Sequence, residues 1–306
     1  MADIALSFWA LFTAIMVGFV LARTGVVGPG ADAGLSRLAF AACIPALMFL
    51  TVAKAQPSDV FSLGSAVNIL VAIILFAGYW MIGGRAGVHG PQRTIGCLLS
   101  SYINAGNIGI AYLMVVVGDP TQAAPVVMFQ LCLVVPFVFT ILDRQTGRTG
   151  MSVTKMVLSP FLNPPVLAVF SGLIVSLTGV HLPAVVTRPI ELIAQPTVPL
   201  LLISLGISAA NASLPKPSRA QAPMFAAVAA RSFGGPLLSW GLGTAVGLTG
   251  TELLAVTIVG ALPAANNVFV YAHRYGRSVD MARDGVLLST FISLPVVPII
   301  AALMHA

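Results

Sequence analysis

Residues 101–113 read SYINAGNIGIAYL and place Asn104, Gly106, Asn107 and Gly109 inside a stretch that is otherwise apolar enough to cross a membrane. A buried amide is costly in hydrocarbon unless it has a hydrogen-bond partner, so each asparagine needs one. Two explanations fit such a cluster. Either glycine and asparagine join neighbouring membrane helices, or the helix unwinds at mid-membrane and its backbone lines a wet cavity.

The composition of the whole chain is that of a membrane protein. Of its 306 residues, 58% are hydrophobic and 8% are charged. A soluble domain carries charge on about a quarter of its residues, so lipid is the expected solvent over most of this surface. The net charge of +6 comes from cations scattered between apolar runs. That distribution is typical of membrane loops, and no nucleic-acid partner is expected.

Ten apolar runs approach the length of about 20 residues that a membrane span requires. We number them as spans 1 to 10, near 4–22, 35–53, 63–83, 94–116, 122–142, 160–180, 190–210, 221–247, 252–272 and 284–304. The sequence therefore predicts an all-α polytopic membrane protein. Its first five-helix repeat is 1–142, its second is 159–306, and a short cytoplasmic linker, 143–158, joins them.

The distribution of cations predicts the orientation. Twelve of the fifteen lysines and arginines lie in odd-numbered loops, whereas Lys54 and Arg188 lie in even loops or at helix ends and Arg231 lies within span 8. Cytoplasmic loops are enriched in these residues. Both termini are therefore predicted to lie outside the cytoplasmic (inner) membrane, and the two repeats enter it from opposite sides.

The two predicted repeats carry unusual residues at matching places. These are Pro45 in span 2 against Pro199 in span 7, and Asn104 and Asn107 in span 4 against Pro263, Asn266 and Asn267 in span 9. Interrupted helices at corresponding positions are typical of inverted-repeat transporters, whose substrate site lies at the interruptions. The clustering in both halves favours unwound, crossing helices over simple helix–helix contacts.

Unwound helices create a site for a small anion. Each half-helix N-terminus carries roughly half a positive charge and free N–H donors, and asparagine amides add neutral donors and acceptors. Gly106 and Gly109 let the backbone approach a ligand closely. The predicted substrate-binding residues are Asn104, Gly106, Asn107, Pro263, Asn266 and Asn267.

Two charged residues leave alternatives open. Arg231 lies in AVAARSFGGPLLSW, and a cation inside a span is a functional candidate by default. Its structural alternatives are snorkelling to the interface or pairing with helix-end carbonyls near the Gly234–Gly235–Pro236 bend. Glu191, three residues after Arg188, is interpreted as one member of an exposed helix-end pair.

At these residues the sequence resembles the auxin efflux carrier family, and specifically its bacterial members, which belong to a bile-acid-symporter-like superfamily. The resemblance covers essentially the whole chain. The matching stretches are INAGNIGIAYLMVVVGDP (103–120), NPPVLAVFSGLI (163–174), VPLLLISLGISAANASLPKP (198–217), ARSFGGP (230–236) and ALPAANNVFVYAHRYG (261–276). The chain departs from the family at Ala111, where many relatives have proline, and in its short central loop.

The resemblance implies a scaffold of spans 1, 2, 6 and 7 and a mobile transport domain of spans 3–5 and 8–10. Spans 4 and 9 would cross, with the substrate carboxylate near Asn104 and the 263–267 break, and Pro45 and Pro199 as candidate contacts on the scaffold side. Family members form homodimers through the scaffold. The implied function is elevator-type transport of a small organic anion, such as a mono- or dicarboxylate.

Other functions remain as alternatives. A sodium-coupled symporter of the same fold would hold ions with unwound carbonyls and asparagines, and coupling to Na⁺ or H⁺ is left open. Asp59, Asp119 and Glu252 all lie at connections, which argues against a proton relay at mid-membrane. A channel or an intramembrane enzyme is less favoured, because the sequence lacks recognisable catalytic motifs. No cofactor or metal is predicted.

Overall fold

The computed structural model describes residues 2–28, 30–54, 62–147, 163–180, 182–211 and 221–304. Apart from one bridging residue pair, regular structure in these ranges is helical, which confirms the predicted all-α class. Its helices are α1 (Ala2–Arg23), α2 (Ala31–Lys54), α3 (Leu63–Arg85), α4 (Gly90–Ser101), α5 (Ala105–Val117), α6 (Ala123–Thr146), α7 (Pro164–Thr178), α8 (Ala184–Asn211), α9 (222–245), α10 (Gly250–Ala261), α11 (Asn266–Tyr275) and α12 (Val279–Met304).

Several of these helices fit a multi-pass membrane protein. Five of those described, α2, α3, α6, α8 and α12, are long and apolar enough to cross a membrane, and they coincide with predicted spans 2, 3, 5, 7 and 10. Helices α5, α7 and α10 and the Phe12–Arg23 part of α1 are shorter and also apolar. Predicted spans 4 and 9 are each divided in two, as α4–α5 and α10–α11. The ten-span inverted repeat and the crossing of spans 4 and 9 stay predictions.

Proline sets the shape of three helices. A π-helical turn ends two residues before Pro45 in α2, before Pro136 in α6 and before Pro236 in α9. Proline has no N–H, and its ring crowds the carbonyl one turn earlier. A wider turn relieves that conflict and changes the direction of the helix axis. These prolines therefore have a local structural role.

Glycines bring α1, α2, α7 and α8 into close contact. A Cβ atom at Gly18 in α1 would meet the carbonyl oxygen of Ile203 in α8, and one at Gly206 in α8 would meet the carbonyl oxygen of Ile15. A Cβ at Gly172 in α7 would lie 2.8 Å from the carbonyl oxygen of Phe49 in α2. Small residues permit such backbone approach between membrane helices. We call these four helices the first helix group.

The remaining helices, α3–α6 and α9–α12, we call the second helix group. Tyr79 in α3 packs over Gly96 in α4, and Gly235 in α9 approaches Gly260 in α10. A buried cluster that includes Leu98, Val138 and Val268 joins α4, α6 and α11. Each group thus combines helices from both halves of the sequence, and several of the predicted site residues lie where the groups face each other.

Candidate functional site

The two interrupted helices meet at their breaks. The Asn104 N–H donates to the carbonyl oxygen of Pro263 at 2.9 Å, and the Ala265 N–H donates to the carbonyl oxygen of Tyr102 at 2.9 Å. Ile103 lies opposite Ala264 in an antiparallel bridge. Each break therefore satisfies one backbone N–H group of the other, as apolar surroundings require.

Glycine and asparagine shape the first break. Helix α5 begins with a bond of 2.9 Å from the Gly109 N–H to the carbonyl oxygen of Asn104, five residues earlier. A Cβ at Gly109 would lie 2.6 Å from a methyl group of Leu262 and 3.2 Å from that carbonyl, so a larger residue here would displace the Leu262 side chain and crowd the first turn of α5. A Cβ at Gly106 would make only an ordinary contact, 3.6 Å from Val127, so packing does not explain this glycine.

A serine that the sequence analysis did not identify supports the second break. Residues 262–265 are extended between α10 and α11. The Ala264 N–H donates to the hydroxyl oxygen of Ser289 in α12 at 3.1 Å, and that hydroxyl donates to the Val286 carbonyl at 3.0 Å. Ser289 is one of several serines in apolar helices, and nothing in the sequence distinguishes it from the others.

A cavity of about 60 Å³ lies beside the breaks, between the two helix groups. Of the predicted residues, Asn104, Asn107 and Asn266 line it, and Asn104 is only 4% exposed. Within the described ranges we find no hydrogen bond to the side-chain amide of Asn104, and the side-chain oxygen of Asn107, which is an acceptor, has no partner. The arrangement presents asparagine amides from both breaks to one small space.

The other predicted residues do not line this cavity. Pro263 is buried in the break and contributes its carbonyl to the hydrogen bond from Asn104. The Asn267 amide lies beside the hydroxyl groups of Tyr102 and Tyr271. Absent from the lining are Gly106, Pro45, Pro199 and Arg231.

Hydroxyl groups that the sequence analysis missed form the opposite wall. Ser36 of α2, Ser204 and Ser208 of α8, and Thr290 of α12 line the cavity. The Ser208 hydroxyl donates to a carboxylate oxygen of Asp32 at 2.6 Å, and the Ser204 hydroxyl donates to the Asp32 carbonyl at 2.9 Å. The hydroxyl oxygens of Ser36 and Ser204 lie 2.7 Å apart. The available signal in the sequence was the spacing of Ser204 and Ser208, which are about one helical turn apart in the same helix.

Arg231 lies away from the cavity. Its side chain is 1% exposed, and its guanidinium donates a hydrogen bond to the carbonyl oxygen of Gly260, in the last turn of α10. A Cβ at Gly235 would collide with both groups, so glycine leaves room for the contact. Since the C-terminus of a helix carries partial negative charge, it is a favourable place for a cation.

The cavity is lined by neutral residues over the part of the chain that the structure describes. No cluster of three or more His, Cys, Asp and Glu residues there is placed to hold a metal ion. On the other side of the breaks, Glu191 pairs with Lys54 at 3.3 Å, rather than with the nearby Arg188. The chemistry available at the cavity is therefore hydrogen bonding and the field of helix termini.

Known proteins similar to this chain are transporters. The family model described as "Membrane transport protein" matches residues 4–301. A Rhizobium meliloti (strain 1021) protein, named provisionally as a malonate transporter, is 25% identical over 97% of this chain and 94% of its own length. An uncharacterized transporter of Methanothermobacter thermautotrophicus is 22% identical over 93% of each chain.

A plant relative connects the chain to the family expected from its motifs. A protein of Oryza sativa subsp. japonica, named provisionally as auxin efflux carrier component 9, is 31% identical over 48% of this chain and 34% of its own length. The family match extends over almost the whole sequence and describes membrane transport rather than enzymatic activity. The chain therefore belongs to the membrane transport protein family of auxin efflux carriers, and it is a membrane transporter.

Proposed function

We propose that this protein is a secondary carrier of small organic anions and that the substrate carboxylate binds in the cavity beside the two breaks. The proposal rests on the position of three asparagines. Asn104, Asn107 and Asn266 present amides from both breaks to the same small cavity, where α5 and α11 begin. Helix N-termini and the N–H groups of amides are donors that favour a carboxylate. The name of the Rhizobium relative makes malonate the first substrate to test.

The division of the helices supports an elevator mechanism. The first helix group, α1, α2, α7 and α8, corresponds to the scaffold implied by the family resemblance, and the second group corresponds to the transport domain. Ser36 and Ser204 reach the cavity from the first group, and Asn104 and Asn266 reach it from the second. Movement of the second group along the first would carry a ligand held at the breaks across the membrane. The expected homodimer through the scaffold stays a prediction.

The cavity lies on the side of the breaks that carries the odd-numbered loops. Its lining comes from the first turns of α2, the last turns of α8 and the first half of α12. Under the orientation predicted from the cations, this side faces the cytoplasm. We therefore propose that the structure is an inward-facing state of a carrier in the cytoplasmic membrane.

Counterflow in proteoliposomes tests the proposed function. Vesicles loaded with unlabelled malonate should transiently accumulate labelled malonate, because a carrier exchanges substrate and a channel does not. The measurement is made with and without sodium, which also tests coupling. Absence of counterflow with malonate, other small dicarboxylates and monocarboxylates would contradict the proposal.

Asn104→Ala tests the site. Loss of one hydrogen bond to a charged ligand should cost about 1.5–3 kcal/mol, or roughly ten- to a hundredfold in affinity. Alanine also favours continuous helix across the break. We expect the variant to remain folded and to lose malonate-dependent thermal stabilisation. Retention of wild-type affinity by a folded Asn104→Ala variant would exclude this amide from the site.

Asn68→Ala is the matched control. Asn68 is 5% exposed in α3, its side-chain oxygen lies 3.4 Å from the hydroxyl of Ser239, and it does not line the cavity. Its replacement removes a similarly buried amide, so it should lower the melting temperature and leave malonate affinity unchanged. The same outcome for Asn104→Ala would favour a role in helix contacts.

A further inference from the structure

The serines of the first helix group present hydrogen-bond acceptors, not donors, to the cavity. A hydroxyl group has one proton to donate. The proton of Ser208 is directed to the carboxylate of Asp32, and the proton of Ser204 is directed to the Asp32 carbonyl. The contact between Ser36 and Ser204 therefore takes its proton from Ser36. All three protons are engaged, and lone pairs remain for a ligand.

The wall that the two breaks form, across the cavity from the serines, can balance about one negative charge. Helices α5 and α11 begin at the breaks, and each N-terminus carries roughly half a positive charge. The buried amide of Asn104, for which we find no partner in the described ranges, also lines the cavity. This wall accordingly suits a single carboxylate.

No fixed cation lines the cavity to balance a second carboxylate, as far as the described residues extend. Several helices that line the cavity carry charged residues, but none of these residues belongs to the lining itself. They are Asp32, Arg37 and Lys54 on α2, Arg188 and Glu191 on α8, His273 and Arg274 on α11, and Asp280, Arg283 and Asp284 on α12. Arg283 pairs with both Asp280 and Asp284. Asp32 adds negative charge directly behind the serines, so a second ionised carboxylate would meet lone pairs and repulsion.

We propose that Asp32 and its serines are a specificity filter, which restricts the site to ligands with one carboxylate at one end and a hydrogen-bond donor at the other. A dicarboxylate such as malonate is then bound as its singly protonated anion, with the carboxyl O–H donating to the serine wall. Asp32 acts through Ser204 and Ser208 and is a positioning residue. This inference rests on the proposed function, since it names the substrate form taken by the same site.

Three ligands of similar size test the filter on the purified full-length protein. Malonamate has one carboxylate and an amide donor, monomethyl malonate has one carboxylate and only acceptors, and malonate gains its second charge as pH rises. We expect malonamate to bind most tightly at neutral pH and monomethyl malonate at least tenfold more weakly. Above the second pKa of malonic acid, the apparent Kd of malonate should rise about tenfold per pH unit, as its singly protonated fraction falls.

Asp32→Asn should make malonate binding less dependent on pH and tighten it at least tenfold at alkaline pH, without a comparable gain for malonamate. Asp119→Asn is the control, because it removes a carboxylate of the α5–α6 connection that accepts a hydrogen bond from Thr121 and does not line the cavity.

If Asp32→Asn does not fold, the three-ligand comparison on the wild-type protein is by itself the test of the filter. Malonate affinity that is independent of pH, or equal affinity for malonamate and the ester, would overturn the filter and leave the proposed function intact. Failure of every carboxylate to bind would overturn both.

Discussion

The guanidinium of Arg231 is buried between α9 and α10 and donates to the Gly260 carbonyl at the end of α10. We propose that this contact is structural and fixes the helix end just before the second break. Arg231→Ala should leave that carbonyl unpaired, at a cost of roughly 1–3 kcal/mol. Arg231→Lys should restore part of the stability, because lysine keeps the charge but lacks the planar fork. Thermal unfolding of the purified variants measures both effects.

Arg144→Ala is the control for loss of an arginine side chain that is exposed. It should change the free energy of unfolding by no more than about 0.5 kcal/mol. Malonate affinity should survive in folded Arg231→Ala protein, because the side chain does not line the cavity. Loss of affinity at an unchanged melting temperature would instead assign Arg231 to the substrate.

At the scale of helices, the contact between α1 and α8 depends on two glycines, Gly18 and Gly206. A methyl group at Gly206 would meet the Ile15 carbonyl of α1, and backbone cannot move aside as a flexible side chain does. Gly206→Ala should therefore destabilise the protein by about 1–3 kcal/mol and separate α1 from α8. A lowered melting temperature, with weaker crosslinking between cysteines introduced on the two helices, is the expected result.

Gly241→Ala provides the comparison for this substitution. Gly241 lies within α9, and nothing lies within 4 Å of a Cβ built there. Since alanine favours helix by up to about 1 kcal/mol over glycine, this change should be neutral or stabilising. Equal effects of the two substitutions would show that close approach of α1 and α8 is not required.

At the scale of the whole molecule, the orientation of the chain in the membrane decides which side of the membrane the cavity faces. Epitope tags at either terminus should be labelled from outside intact spheroplasts, whereas a tag inserted at Gly147 should be labelled only after permeabilisation. The reason is the concentration of lysine and arginine in the odd-numbered loops. Labelling of the Gly147 tag from outside would contradict the inverted repeat and the inward-facing assignment together.

Much of the fold follows from the order of residues along the chain. Low charge and long apolar runs determine a helical membrane protein, because only lipid is a suitable solvent for such a surface. The interruptions at Asn104 and Pro263 were also predictable, since glycine and proline change backbone preferences locally. The motifs around them were sufficient to identify the family.

Tertiary structure decided which of those residues line the same cavity. Asn104, Asn107 and Asn266 line the cavity, whereas Asn267, adjacent in sequence to Asn266, lies beside Tyr102 and Tyr271. Adjacent helical residues point in directions about 100° apart. The sequence located the cluster, and only the rotation of α11 within the packed helices selected its members.

The partners of polar side chains likewise depended on contacts between distant segments. Glu191 pairs with Lys54 of α2, 137 residues away, although Arg188 is one turn from it in sequence. Asp32 accepts a hydrogen bond from Ser208, 176 residues away. A sequence pattern reports periodicity within one helix, and it carries no information on which face of another helix will lie opposite. The sequence by itself therefore determined a helical transporter with two interrupted helices, and the packing of distant helices against each other determined which side chains line the cavity beside the breaks.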